Sequence, residues 1–269
     1  MTIYEQMLAH YDEQDRKAQL EVMQQIALAG LYRAGFFENA AFYGGTCLRI
    51  FHGLKRFSED MDFSLLQEKQ NFNFEQFFPY VIKEFDIAGR TVEITKKDKR
   101  NFGKVESAFL KDTTEVYDLT FQYEKSLKIK IEVDTEPPLF FHTEQKLLLL
   151  PFSFMTRCYT LPDLFAGKMH ALVFRSWKNR VKGRDWYDFE WYVRNGIKLN
   201  WEHLHERILQ LNKQDISKDQ FINRLEEKLS STDIKQVKSD VSNFIVNPQD
   251  LDIWSNEYFL QLSKMMLFE

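Results

Sequence analysis

The sequence predicts an α+β fold with a helical C-terminal part. Strict alternation of polar and apolar side chains along residues 60–65 and 126–134 is the pattern of half-buried β-strands. From Leu161 onward the apolar spacing becomes helical, and Pro162 fits the first turn of a helix. Strands that precede a run of helices indicate an α+β architecture.

The remaining elements follow from the same patterns. Apolar residues at three- and four-residue spacing predict an N-terminal helix over residues 15–34, which ends before Gly35. A short strand at residues 41–43, a turn at Gly44 and Gly45 and a helix over residues 46–52 come next. Further strands are expected at 91–95 and 116–123, and further helices at 162–176, 185–194, 201–211, 219–229 and 251–267.

Length and composition restrict the possible classes of protein. The chain has 269 residues, of which 44% are hydrophobic and 28% charged, so we expect a folded protein in two closely packed parts, residues 1–150 and 151–269. The net charge of −4 argues against coating of nucleic acid by bulk electrostatics. No apolar run is long enough to span a membrane and the first residues lack a signal-peptide pattern, so we expect a cytoplasmic protein with no membrane partner. Cys47 and Cys158 are expected to be buried thiols.

Paired carboxylates on one strand indicate the chemistry. Asp60 and Asp62 share a face of their predicted strand about 7 Å apart, where they can hold Mg²⁺ or Mn²⁺. Glu132 and Asp134 alternate in the same way on a second strand, and either could supply a third carboxylate. Such clustering is unfavourable without a cation.

A glycine turn precedes the acidic strand. Gly44, Gly45 and Thr46 join a strand to the start of a helix, and this arrangement lets backbone amides approach a phosphate. A glycine pair alone more often marks an ordinary tight turn. Its position just before the two aspartates is what indicates a phosphate-binding turn.

These motifs together resemble the AbiEii/AbiGii toxin family of polymerase-beta-like nucleotidyltransferases. Residues 43–49 and 56–63 are similar to the opening motifs of that family almost position for position. Residues 130–133 resemble its central strand, which favours Glu132 over Asp134 as the third ligand. Residues 168–172 and 180–188 are similar to its later motifs, a helical lysine and an Arg-Asp-x-x-Asp box.

The resemblance implies a fold and a set of site residues. The fold would be a mixed sheet flanked by helices, with the nucleotidyltransferase core and the N-terminal helix in residues 1–150. The helical domain, residues 151–269, would contribute Lys168 and Asp185. Metal ligands would be Asp60, Asp62 and Glu132, and the catalytic set adds Asp134, Lys168 and Asp185. Nucleotide would be bound by Gly44, Gly45, Thr46, Arg49, Arg56, Ser58, Lys168 and Arg184.

Helical phase supports an inward position for two of these residues. Lys168 falls within the apolar stripe of its predicted helix, and Asp185 shares a face with Phe189 and Tyr192. A buried ammonium needs an anionic partner, either a carboxylate or a bound triphosphate. A buried ion pair with a purely structural role is the alternative interpretation. The resemblance favours phosphate binding by Lys168 and an acid/base or organising role for Asp185.

The implied function is a toxin that transfers a nucleoside monophosphate from a nucleoside triphosphate to a hydroxyl group. The resemblance also implies a cognate antitoxin and a role in phage defence. A basic run favours an RNA acceptor, such as the 3′ end of tRNA, and a protein hydroxyl is the alternative acceptor. The run comprises Arg175, Lys178, Arg180, Lys182 and Arg184. Two alternatives stay open: a phosphotransferase or small-molecule nucleotidyltransferase on the same fold, and an inactive module that senses nucleotide or binds a protein.

Overall fold

A computed structural model describes residues 1–12, 14–69, 72–97, 114–122, 127–175 and 181–269. The chain divides into two compact units. The sheet unit comprises Met1–His52, Ser58–Pro137 and Thr143–Cys158, and the helical unit comprises Gly53–Phe57, Pro138–His142 and Tyr159–Glu269. Among the described residues, no helix has both the length and the apolar character needed to cross a membrane.

The sheet unit is built around a seven-stranded mixed sheet with helices beside it. Its elements in chain order are α1 (Ile3–Leu8), α2 (Arg16–Arg33), β1 (Ala40–Tyr43), α3 (Gly44–His52), β2 (Asp60–Leu65), α4 (Phe78–Ile87), β3 (Val92–Lys96), β4 (Thr114–Phe121), β5 (Lys128–Asp134), β6 (Thr143–Leu148) and β7 (Phe154–Tyr159). The strand order is β3-β4-β5-β2-β1-β7-β6. Strand β2 pairs with β5 in parallel and with β1 in antiparallel orientation. The prediction of a mixed sheet flanked by helices is confirmed.

The apolar faces of the central strands form the core of this unit. Met61 and Phe63 of β2 are fully buried, as are Ile129 and Val133 of β5. A cluster of phenylalanines packs around Phe36 with ring centroids 5.1–6.4 Å apart. Cys47 and Cys158 are buried free thiols, as predicted.

The helical unit contains α5 (Leu161–Phe174), α6 (Gly183–Arg194), β8 (Lys198–Leu199), α7 (Trp201–Asn212), α8 (Lys218–Ser231), α9 (Ile234–Ser242), α10 (Asn256–Lys264) and β9 (Leu267–Phe268). Aromatic side chains join its helices. Phe165 of α5 stacks on Tyr192 of α6 at 4.4 Å between ring centroids, and Trp186 of α6 meets Phe259 of α10 edge-on at 4.7 Å.

Several elements differ from the sequence-based expectation. The predicted helix over residues 251–267 is shorter and runs from Asn256 to Lys264, because Asp252 and Ile253 lie in a turn and the Ser255 hydroxyl caps the helix. Helix α4 and strands β6 and β7 were not predicted. The sheet unit extends to Cys158, whereas the prediction divided the chain at residue 150, and Gly53–Phe57 groups with the helices.

Candidate active site

Strand β2 places two aspartates on one face of the sheet. Asp60 and Asp62 are half-buried, whereas Met61 and Phe63, which alternate with them, are completely buried. The core therefore fixes the phase of the strand and with it the direction of both carboxylates.

The parallel neighbour β5 brings a third carboxylate alongside. Its register pairs Asp62 with Glu132 and Asp60 with Lys130. Asp134 pairs with Ser64, two residues further along the strand. It is 6% exposed and accepts a hydrogen bond from the Glu136 amide at 3.2 Å. Glu132 is therefore the better placed of the two candidates beside Asp62.

Gly44 lies directly against the Asp62 carboxylate. It has φ +81°, and a Cβ atom added to it would lie 2.1 Å from Asp62 Oδ2. Any other residue would be strained in its backbone and would displace the carboxylate. The glycine turn thus makes room for an acidic side chain at the start of α3.

Two buried side chains hold the backbone around Asp60. The Thr46 hydroxyl donates a short hydrogen bond to the Asp60 carbonyl, which ties α3 to β2. Gln24 of α2 donates to the carbonyls of Ser58 and Glu59 at 3.0 and 3.1 Å, and only 1% of its surface is exposed. Sequence reasoning missed Gln24. The feature that could have revealed Gln24 is an amide side chain on the buried face of a helix.

A lysine lies among the carboxylates. Lys130 Nζ is 2.5 Å from Glu132 Oε1. Burial opposes its charged form, but Glu132, Asp60 and Asp62 outweigh this effect and raise the pKa of Lys130 above its ordinary value. The ammonium therefore stays charged at neutral pH and offsets part of the repulsion between the acids.

The acidic face suits a hard divalent cation by its donor chemistry. Carboxylate oxygens are the ligands that Mg²⁺ prefers, and Asp60 and Asp62 are only half-buried. Over the part of the chain that the structure describes, no three His, Cys, Asp or Glu side chains are grouped closely enough to hold a metal ion. One of the three expected ligands, Glu132, is engaged by Lys130 instead.

Arg49, predicted to bind nucleotide, has a partner on α2. Its Nε donates to Glu21 Oε2 at 2.8 Å, while the Tyr11 hydroxyl donates to Glu21 Oε1 at 2.9 Å. In this arrangement Arg49 connects α3 to α2.

In the helical unit, Lys168 and Asp185 are in contact. Lys168 Nζ lies 2.8 Å from Asp185 Oδ1 and 2.8 Å from Asp188 Oδ2. Asp188 is fully buried and also receives two hydrogen bonds of 2.5 Å from the Arg56 guanidinium. The four side chains form a buried chain of ion pairs. Arg56, predicted to bind nucleotide, is 2% exposed and is engaged by Asp188 and by the Phe57 carbonyl at 2.9 Å.

Further cations surround Asp185. Burial alone would raise its pKa, but Lys168, Arg175 and Lys182 act in the opposite direction and hold the pKa of Asp185 below its usual range. Burial and neighbouring cations, Arg175 first among them, lower the pKa of Lys182 to about 8. The Arg184 guanidinium lies 4.1 Å from the centre of the Phe244 ring. Lys178 and Arg180 of the predicted basic run lie outside the described residues.

Comparison with protein families identifies the chain. Residues 26–261 match the family described as "Nucleotidyl transferase AbiEii toxin, Type IV TA system". The chain belongs to the AbiEii family of nucleotidyltransferase toxins. The match covers the glycine turn and strands β2 and β5, and it extends through α6. The family resemblance inferred from the sequence motifs is confirmed.

Solved structures agree with the AbiEii assignment at the level of fold. JHP933 from Helicobacter pylori is 18% identical, with a TM-score of 0.51 over 93% of this chain and 90% of that one. MenT4, a nucleotidyltransferase toxin from Mycobacterium tuberculosis H37Rv, is 13% identical, with a TM-score of 0.51 over 98% of this chain and 96% of that one. None of the curated proteins matches this AbiEii-family chain significantly.

Proposed function

We propose that this chain transfers a nucleoside monophosphate from a nucleoside triphosphate to a hydroxyl group. The observation that carries the proposal is the acidic face of the sheet unit, where Asp60 and Asp62 lie beside Glu132 and Gly44 makes room for Asp62. Family membership supports the same reaction class. We assign Asp60, Asp62 and Glu132 as ligands of Mg²⁺ or Mn²⁺, with Asp134 too far along the strand to replace Glu132.

The chain's own residues would position the reactants. Bound Mg²⁺ supplies positive charge that stabilises the phosphate oxygens during transfer. Thr46 and Gln24 fix the backbone on either side of Asp60, so the ligands are organised before substrate arrives. The first amides of α3, at Gly45 and Thr46, supply donors for a phosphate group.

For the helical unit we propose that Lys168 binds nucleotide phosphate and that Asp185 organises it. The 2.8 Å contact between the two side chains supports a positioning role. Because neighbouring cations keep the pKa of Asp185 low, its carboxylate is a weak proton acceptor at neutral pH. Asp185→Asn is therefore expected to weaken nucleotide binding through Lys168 without shifting the pH profile of transfer. A shifted profile would instead assign Asp185 as the general base.

Labelled nucleotides test the reaction directly. Purified protein is incubated with Mg²⁺, total cellular RNA or protein, and each nucleoside triphosphate labelled at the α or the γ phosphate. The proposal expects the α label in the acceptor, and loss of labelling in Asp60→Asn and Asp62→Asn. Glu93→Gln, an exposed carboxylate of β3, is the matched control and keeps full labelling. Transfer of the γ label would identify a phosphotransferase, and unchanged labelling in both aspartate variants would refute the mechanism.

We further propose that the chain acts as the toxin of a toxin–antitoxin pair, as its family does, with an RNA acceptor favoured by the cations around Asp185. Induced expression should arrest growth, and Asp62→Asn should grow normally at equal protein level. Relief of the arrest by co-expression of the neighbouring gene product would identify the antitoxin. Equal growth arrest by the Asp62→Asn variant would separate toxicity from catalysis and contradict the proposal.

A further inference from the structure

Lys130 is a cation on the acidic face of the sheet unit. This residue lies on the same face of β5 as Glu132, in register with Asp60, and its ammonium contacts Glu132 Oε1 at 2.5 Å. No role was assigned to it from the sequence motifs. The inference drawn from it rests on the proposed function, because it concerns the same acidic face.

Neighbouring ion pairs explain why Lys130 contacts Glu132. Strand β4 places Asp118 in register with Lys130. Asp118 is already contacted by two other cations, Lys128 Nζ at 2.5 Å and Lys97 Nζ at 3.3 Å. With Asp118 neutralised, the negative charges that act on Lys130 are those of Glu132, Asp60 and Asp62.

We propose that Lys130 is a built-in counter-cation that competes with the divalent metal ion for Glu132. Three carboxylates on one face repel one another, and the ammonium supplies positive charge there when no metal ion is bound. A metal ion that takes Glu132 as a ligand must break the contact with Lys130 and then sits beside a positive charge. Lys130 therefore stabilises the metal-free protein and lowers its affinity for the ion.

Direct measurement of Mn²⁺ binding, without nucleotide, tests this role. Titration calorimetry and the electron paramagnetic resonance signal of free Mn²⁺ would be recorded for the full chain and for Lys130→Gln. We expect Lys130→Gln to bind Mn²⁺ about tenfold more tightly, because a unit positive charge beside the ion is removed. Its melting temperature without metal should fall, and Mn²⁺ should raise it by more than in the wild type.

Lys128→Gln is the matched control. Lys128 lies on the same face of the same strand and carries the same charge, but it contacts Asp118, which keeps Lys97 as a partner. Its Mn²⁺ affinity should stay within about twofold of the wild type, since its charge is already balanced by Asp118.

The outcomes separate this inference from the proposed function. Equal or weaker Mn²⁺ binding by Lys130→Gln, with binding abolished in Asp62→Asn, would overturn the role of Lys130 and leave the acidic site intact. Binding that is unchanged in Asp62→Asn, or undetectable in both the wild type and Lys130→Gln, would overturn the inference and the proposed metal site together.

Discussion

Replacing Gly44 by alanine tests the contact on which the proposed site depends. The substitution adds one methyl group at a residue with φ +81°, where its Cβ would lie 2.1 Å from Asp62 Oδ2. Ordinary contact between such atoms is about 3.4 Å, so the carboxylate has to move by more than about 1 Å. Gly44→Ala therefore alters the position of one proposed ligand without removing any carboxylate.

The expected cost has two parts. A non-glycine residue in the left-handed region costs about 1–2 kcal/mol, and an Asp62 side chain forced away from its preferred rotamer costs about 0.5–1.5 kcal/mol. Together they amount to about 1.5–3.5 kcal/mol, which lowers the melting temperature of a chain of this size by roughly 3–14 °C. Displacement of a catalytic group by about 1 Å reduces reaction rates by about a hundredfold, so transfer should fall at least that much.

Gly53→Ala separates the cost of the backbone conformation from the cost of displacing Asp62. Gly53 has a similar φ of +73°, but a Cβ added there meets nothing within 4 Å. This variant should therefore show only the backbone cost, about 1–2 kcal/mol, and should transfer nucleotide at the wild-type rate when folded. Thermal melts, Mn²⁺ titration and labelled transfer would be compared across both variants. Equal transfer rates for folded Gly44→Ala and Gly53→Ala would refute the reasoning.

Three further predictions follow from buried polar groups. Asp188→Asn removes the carboxylate that contacts the buried Arg56 and leaves Lys168 with Asp185 alone, so denaturant unfolding should show a loss of about 3–5 kcal/mol; a loss below about 1 kcal/mol would contradict this. Gln24→Leu removes the donors to the two carbonyls before Asp60, which should cost about 1–3 kcal/mol and slow transfer at saturating substrate; unchanged transfer would exclude a positioning role. Burial and then the Arg207 charge lower the pKa of His203 to about 3. Below about pH 6.5 the His203 imidazole is protonated in the unfolded state but stays neutral in the folded state. The free energy of unfolding should therefore fall as the pH is lowered from about 6.5 to 3. His203→Phe should make this acid-induced fall shallower in pH-dependent melts, and an equally steep fall would contradict the assignment.

The acidic strand could be predicted because its signal is local. Six residues of strict alternation defined β2 to the residue, and the same pattern placed Glu132 on the matching face of β5. The inward position of Lys168 also followed from helical phase, since it lies within an apolar stripe, and its side chain is 15% exposed. These inferences needed only the periodicity of one element at a time.

The parts that could not be predicted depend on contacts between distant residues. Strand β6 is an edge strand without a buried face, so its sequence shows no alternation to recognise. Asp188 is fully buried and is neutralised by Arg56, 132 positions earlier, a contact that the periodicity of its own helix does not show. Lys130 lies beside carboxylates on both neighbouring strands, which follows from the register of β2 and β4 with β5 and not from the alternation of β5 alone.

The alternation along β2 links the evolution of the reaction to that of the fold. Deletion of one residue within the strand would turn the residues on one side of the deletion to the opposite face, so an apolar side chain would face outward or a polar one would be buried, and the mutant would lose stability together with its chemistry. Length changes among descendants of this gene should therefore accumulate in the connections before and after the strand. An inactive descendant should arise by point substitution of an acid, which keeps the core and preserves a folded protein still available for new interactions.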